Sequence, residues 1–150
     1  MQKAIELSID NVRQNKGGPF GAVVVKDGEI IATGANCVTS DNDPTAHAEV
    51  TAIRNACKKL GSFQLDNCEI YTSCEPCPMC LGAIYWARPK AVYYGNTKAD
   101  AAEIDFDDQF IYDELDLPLT KRNLKMVEFM RDEANEAFKL WKNNSQKVEY

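Results

Sequence analysis

Residues 47–80 read HAEVTAIRNACKKLGSFQLDNCEIYTSCEPCPMC, and this stretch sets the fold. Val50, Ile53, Cys57 and Leu60 recur at helical spacing and Gly61 ends the helix. Cys68 to Ser73 is apolar on alternate positions, as a strand is, and a short loop from Cys74 to Pro76 leads to a second helix at Cys77. A helix, a strand and a helix in this order place the chain in the α/β class. The ends of the stretch carry the chemistry. His47, Cys77 and Cys80 offer one imidazole and two thiolates. Three protein ligands leave a fourth tetrahedral position open, the arrangement of a catalytic zinc rather than a closed structural one.

The flanking residues fit that purpose. Glu49, two positions after His47, is a carboxylate beside the metal and available to carry protons. Cys77 and Cys80 are three apart and share one side of a helix start, where the helix N-terminus favours thiolate over thiol. Asp43 could cap a helix opening at Pro44, or Thr45 one opening at Ala46. Two helix N-termini would then face one metal. Other readings stand beside this one. His47 is the single histidine of the chain and could be structural. Cys-x-x-Cys alone could be a redox pair or half of a structural zinc site. Cys37, Cys57, Cys68 or Cys74 could close the site as a fourth ligand, although Cys74 is expected as a reduced thiol near the metal.

Upstream, Gln2 to Gln14 reads as a helix with Ile5, Ile9 and Val12 at helical spacing, stopped by Gly17-Gly18-Pro19. Phe20 to Lys26 is a buried strand, Asp27-Gly28 a hairpin turn, and Glu29 to Ala35 the returning strand. Asn36 to Thr45 is a polar loop leading to His47. Downstream, the helix Cys77 to Ala87 is apolar nearly all round and is expected to be buried. Pro89 marks its end, and Ala91 to Tyr94 is the fourth strand. An acidic stretch covers Ala99 to Gln109, Leu124 to Met130 reads as an extended segment, and Asp132 to Lys142 as an amphipathic helix with Ala134, Ala137, Phe138 and Trp141 inward. Asn143 to Tyr150 is expected to be a disordered polar tail. Strands alternating with helices after an opening hairpin give a mixed sheet with helices on both faces, its ligands at strand-to-helix turns.

The 150 residues are of single-domain size, and 45% hydrophobic residues are enough for a core. No apolar run is long enough to span a membrane or to read as a signal peptide. Six cysteines without a secretion signal argue for a reducing, cytoplasmic setting and for metal chemistry over disulfides. A net charge of −6 and a pI near 4.8 argue against a nucleic-acid partner, whose phosphates would be repelled.

His-x-Glu followed by Pro-Cys-x-x-Cys is the pattern of the zinc deaminases. Together with the blocks GGPFGAVVVKDG (17–28), NDPTAHAEVTAIR (42–54) and YTSCEPCPMCLGAIYWARPKAVYY (71–94), it resembles the cytidine deaminase-like superfamily. Asp100-Ala101-Ala102-Glu103, Phe106-Asp107-Asp108, Ile111-Tyr112 and the final Glu149-Tyr150 are similar to the small bacterial guanine deaminases within it. The resemblance implies a three-layer α/β/α sandwich around a mixed five-stranded sheet, and hydrolytic deamination of guanine to xanthine by attack at C2. It implies one zinc per subunit, held by His47, Cys77 and Cys80, with Glu49 as proton carrier and Asp108 holding the exocyclic amine as a second carrier. Asn36, Phe20, Ala48, Trp86 and Tyr150 are then the substrate-binding residues. It further implies a homodimer that exchanges its C-terminal segment, residues 115–150. Two departures stand out: Asp105 occupies a position where glycine is expected, and residues 115–130 match poorly. Guanosine, cytosine or adenosine in tRNA are rival substrates, and a zinc-stabilised binding protein without chemistry is a rival of another class.

Overall fold

The computed structural model describes residues 1–150, which divide into two compact units, Met1–Asp108 and Gln109–Tyr150.

The first unit is built on a four-stranded sheet in the order β2-β1-β3-β4. Its strands are β1 (Gly21–Lys26), β2 (Glu29–Ala35), β3 (Cys68–Cys74) and β4 (Ala91–Asn96). β1 runs antiparallel to both β2 and β3, while β3 and β4 are parallel. Asp27 and Gly28 close the β1–β2 hairpin with φ of 51° and 83°, as a two-residue turn between right-twisted strands requires. The helix α1 (Gln2–Arg13) packs on one face of the sheet, and α3 (Ala48–Leu60) on the other with α4 (Pro78–Ala87) beside it. A single turn, α2 (Val38–Asp41), precedes α3, and α5 (Lys98–Ala102) follows β4. The expected three layers are present, but the sheet has four strands, not five. Leu124–Met130, expected to be extended, has no regular secondary structure and joins no ladder.

Small residues bring the layers together. Along α3, Ala48, Ala52 and Ala56 face the sheet, and all three are fully buried. Opposite them lies Gly34, where a Cβ would come within 2.2 Å of the Ala48 carbonyl oxygen and 2.5 Å of the Ala52 nitrogen. The same device seats α1. A Cβ on Gly21 would meet the Ala4 carbonyl oxygen at 2.4 Å, and α1 buries Ala4, Ser8 and Asn11. The apolar residues that recur at helical spacing, Ile5, Ile9 and Val12, are 42–49% exposed. Close approach needs the small ridge, and the large one is rotated outward. α4 likewise buries only Cys80, Ile84 and Ala87, not its whole circumference, because α3 and the sheet cover one side of it. Leu81, Tyr85 and Trp86 lie on the exposed side.

The second unit holds α6 (Gln109–Asp116), a 3-10 turn at Leu119–Lys121 and α7 (Arg131–Asn143). None of its residues is buried. Phe138 and Trp141, expected to point inward, are 76% and 44% exposed.

Candidate active site

Because β2, β3 and β4 run in one direction and β1 in the other, the ends of β2, β3 and β4 share one edge of the sheet with the start of β1. Phe20, Asn36, Cys74 and Asn96 all lie there. The N-terminus of α3 is capped by His47 and that of α4 by Cys77, with Pro78 in the first turn. Neither Asp43 nor Thr45 is the cap of α3. Asp43 Oδ1 instead accepts from Thr45 N at 2.8 Å and Thr45 Oγ1 at 2.7 Å, closing a turn just ahead of it.

These two caps place three donor atoms together. His47, Cys77 and Cys80 form a group whose ligand atoms all lie within 4.8 Å of one another. Each sulfur is 3.5 Å from His47 Nδ1. Bonds of about 2.3 Å to sulfur and 2.0–2.1 Å to nitrogen at tetrahedral angles give a sulfur–nitrogen separation of about 3.5 Å, so the donor set fits zinc. No third cysteine joins the group as a fourth ligand. Cys74 Sγ turns to the Thr97 carbonyl oxygen at 3.6 Å, and burial pushes its thiol up to about 11.

Cys77 and Cys80 shift each other in opposite directions. Cys77 is lowered to about 4 by the hydrogen bond from Cys80, then by His47. Cys80 is raised, held protonated by Cys77 and by burial. His47 is raised by its hydrogen bond to Cys77. A zinc held by His47, Cys77 and Cys80 would take both cysteines as thiolates, since a ligating thiol is deprotonated outright.

Glu49, in the first turn of α3, is 5% exposed. Its Oε1 accepts from Thr72 Oγ1 at 3.3 Å, and its Oε2 from Cys80 Sγ at 3.5 Å. Burial raises its pKa, assisted by the charge of Cys77. A buried carboxyl beside a metal-ligand cluster is placed to exchange protons with a group bound there. Asp108, at the end of the first unit, is half-buried, and its pKa is raised by burial and then by Cys77.

Asn36 is 6% exposed, and its amide is oriented. Oδ1 accepts from Gly18 N at 3.3 Å and Val38 N at 3.4 Å, which leaves Nδ2 as the end able to donate to a ligand. Phe20 meets Phe106 edge to face with centroids 4.9 Å apart, above Gly18, where a Cβ would touch both rings at 3.2–3.3 Å. Ala48 is fully buried at the start of α3. Trp86 stands about 9 Å along α4 from Cys80, on the exposed side of that helix. Tyr150 ends the second unit and is 68% exposed.

Thr72 and Asn11 also touch site residues and were not legible as such in the sequence, whereas Phe106, which touches Phe20, belongs to the Phe106–Asp108 segment already singled out there. Strand alternation was the available signal for Thr72, since it places Thr72 on the same face as Ile70 and Cys74. Asp105 explains the glycine expected at its position: its φ is +67°, the left-handed region that glycine enters without strain.

The comparisons with known proteins agree with this geometry. The chain is 58% identical over 150 residues to the guanine deaminase of Bacillus subtilis (strain 168), covering 100% of this chain and 96% of that one. The X-ray structure of guanine deaminase from Bacillus subtilis superposes with a TM-score of 0.96 over 99% of this chain and 95% of that one. A tRNA-specific adenosine deaminase of Aquifex aeolicus (strain VF5) is 36% identical over 131 residues, 84% of this chain and 83% of that protein. Residues 1–96 match the cytidine and deoxycytidylate deaminase zinc-binding region. With the His/Cys/Cys cluster, that match makes zinc the metal of this site. The chain belongs to the cytidine and deoxycytidylate deaminase zinc-binding family.

Proposed function

We propose that the protein deaminates guanine hydrolytically to xanthine and ammonia, with His47, Cys77 and Cys80 as zinc ligands. One observation carries the substrate. The match to a guanine deaminase is 58% identical over all 150 residues, whereas the tRNA-specific adenosine deaminase is 36% identical over 131 residues and the zinc-binding region covers residues 1–96. The aligned 150 residues include the Phe106–Asp108 segment and the whole second unit.

Bound zinc activates water for attack near neutral pH. Glu49 takes a proton from the attacking water and returns it to the base or the departing amine. Asn36, its amide fixed by Gly18 and Val38, donates from Nδ2 to an acceptor on the ring. Phe20, braced by Phe106, lines the pocket on the apolar side, and Ala48 offers backbone at the mouth of α3. Asp108 lies within electrostatic reach of Cys77 and holds the exocyclic amine. Trp86 and Tyr150 are the remaining substrate-binding candidates.

The protein acts as a homodimer whose C-terminal segment is exchanged. Gln109–Tyr150 has no buried residue, and Val127, Phe129, Phe138 and Leu140 are each 69–82% exposed. A segment with this much open apolar surface and no core is stable only when covered. A second copy supplies the cover at no cost in specificity. No cysteine is in a disulfide, which supports a reducing, cytoplasmic setting and a place in purine breakdown or salvage.

The test is ammonia release by the purified zinc protein from guanine, guanosine, adenine, cytosine, cytidine and a tRNA anticodon stem. Turnover of guanine alone is expected. Turnover of the tRNA or of a nucleoside instead would leave the zinc chemistry intact and overturn the substrate. Silence across the panel with zinc bound would point to the non-catalytic alternative. Sedimentation is expected to give a dimer that Phe138→Glu weakens. A monomer at assay concentration would overturn the exchange.

A further inference from the structure

We propose that Thr72 is a positioning residue for Glu49, its hydroxyl fixing one carboxylate oxygen so that the other is aimed for proton transfer. This rests on the reading of Glu49 as proton carrier. The side of the sheet that faces α3 carries Ala22 and Val24 from β1, and Cys68, Ile70, Thr72 and Cys74 from β3. Thr72 is the single hydroxyl in that set and is 1% exposed. Valine has nearly the same shape, suits a strand equally well and brings no polar atom into the core. The hydroxyl therefore needs a partner, and the structure supplies Glu49 Oε1 at 3.3 Å.

The other side-chain donor to Glu49 is Cys80 Sγ, on Oε2. Cys80 is itself one of the three candidate zinc ligands. Thr72 is the side-chain donor to the carboxylate that is not a metal ligand. It is also well placed to hold its position. β3 is paired on both sides, Thr72 lying opposite Ala22 on β1 and Tyr94 on β4, so its Cα is fixed by two ladders. Groups that orient a reacting side chain do so best from rigid elements.

The test uses zinc-loaded Thr72→Val, Thr72→Ser, Thr72→Ala and Glu49→Gln, and the double variant Thr72→Val/Glu49→Gln. Steady-state kinetics on the base turned over are combined with zinc content, melting temperature and the crystal structure of Thr72→Val. For Thr72→Val, kcat is expected to fall about tenfold, the effect of losing one hydrogen bond to a charged group, with KM and zinc content unchanged. Thr72→Ser retains most of kcat. Thr72→Ala does not, although both lack the methyl group, so the comparison holds even if Thr72→Val folds poorly. In the Glu49→Gln background, Thr72→Val costs little more. Independently of activity, Glu49 is expected in more than one rotamer in the Thr72→Val crystal. Wild-type kcat in Thr72→Val, a full additional loss in the Glu49→Gln background, or an unchanged single Glu49 rotamer would each overturn the inference. Near-normal turnover by Glu49→Gln would instead overturn the reading of Glu49 on which it rests.

Discussion

Asn11 Nδ2 donates to the Asn36 carbonyl oxygen at 2.9 Å and to the Gly18 carbonyl oxygen at 2.8 Å. One buried amide on α1 thus ties together the two segments that orient the Asn36 side chain. Gly17 completes the clamp, since a Cβ there would come within 2.2 Å of the same Asn36 oxygen. Replacing Asn11 by leucine preserves volume and leaves two carbonyls without that partner. The expected loss is about 1–3 kcal/mol of stability, read by chemical denaturation. KM for the base is expected to rise several-fold with kcat and zinc content held. A change in stability alone would show that the clamp does not reach the substrate.

The metal-free protein should show thiol reactivity that follows its ionisation. Cys77, lowered to about 4, is thiolate at pH 6, whereas Cys74, raised to about 11, is not. Nucleophilic attack needs thiolate. Iodoacetamide at pH 6, followed by peptide mapping, is therefore expected to label Cys77 well ahead of Cys74. Zinc should suppress the Cys77 label and leave Cys74 as it was. A chelator that strips zinc should abolish deamination, and added zinc should restore it.

Asp105 carries a left-handed backbone at φ +67° just before Phe106. A non-glycine residue there is strained by about 1 kcal/mol. Asp105→Gly is expected to raise the melting temperature by a few degrees, and Asp105→Val to lower it, because a β-branched residue tolerates that conformation worst. Equal melting temperatures for the three proteins would count against the strain.

Gly34 is where α3 presses hardest on the sheet. A methyl group at Gly34 meets backbone atoms of Ala48 and Ala52, not a side chain that can rotate away. Gly34→Ala is expected to cost at least ~2 kcal/mol and to lower zinc affinity, since moving α3 moves His47. Gly82, on the outer side of α4, has nothing within 4 Å of a built Cβ. Gly82→Ala is expected to gain about 0.5–1 kcal/mol from helix propensity. A loss at Gly82 would show that a partner covers that side of α4.

The metal centre was legible in the sequence because few residue types ligate zinc. An imidazole, two thiols and a nearby carboxylate at helix starts leave little room for another use. The hairpin was legible through Asp27-Gly28, and α3 through its apolar spacing. What the sequence concealed depends on who lies opposite. The periodicity of α1 marks Ile5, Ile9 and Val12, but the surface it meets is Gly21, which admits only the ridge of Ala4, Ser8 and Asn11. The apolar circumference of α4 promised complete burial, yet the layers of one chain cover only one side. Leu124–Met130 has the composition of a strand, but a strand exists only where a neighbour offers a free edge. Thr72 was passed over for a similar reason. A threonine in a strand is ordinary until the residue facing it is known to be Glu49.

His47 is the one histidine among 150 residues. In a sample labelled selectively in histidine, every imidazole resonance therefore comes from the metal centre, with no assignment needed. Metal loading, exchange and the arrival of a base in the pocket can be followed through one side chain that the sequence has already isolated.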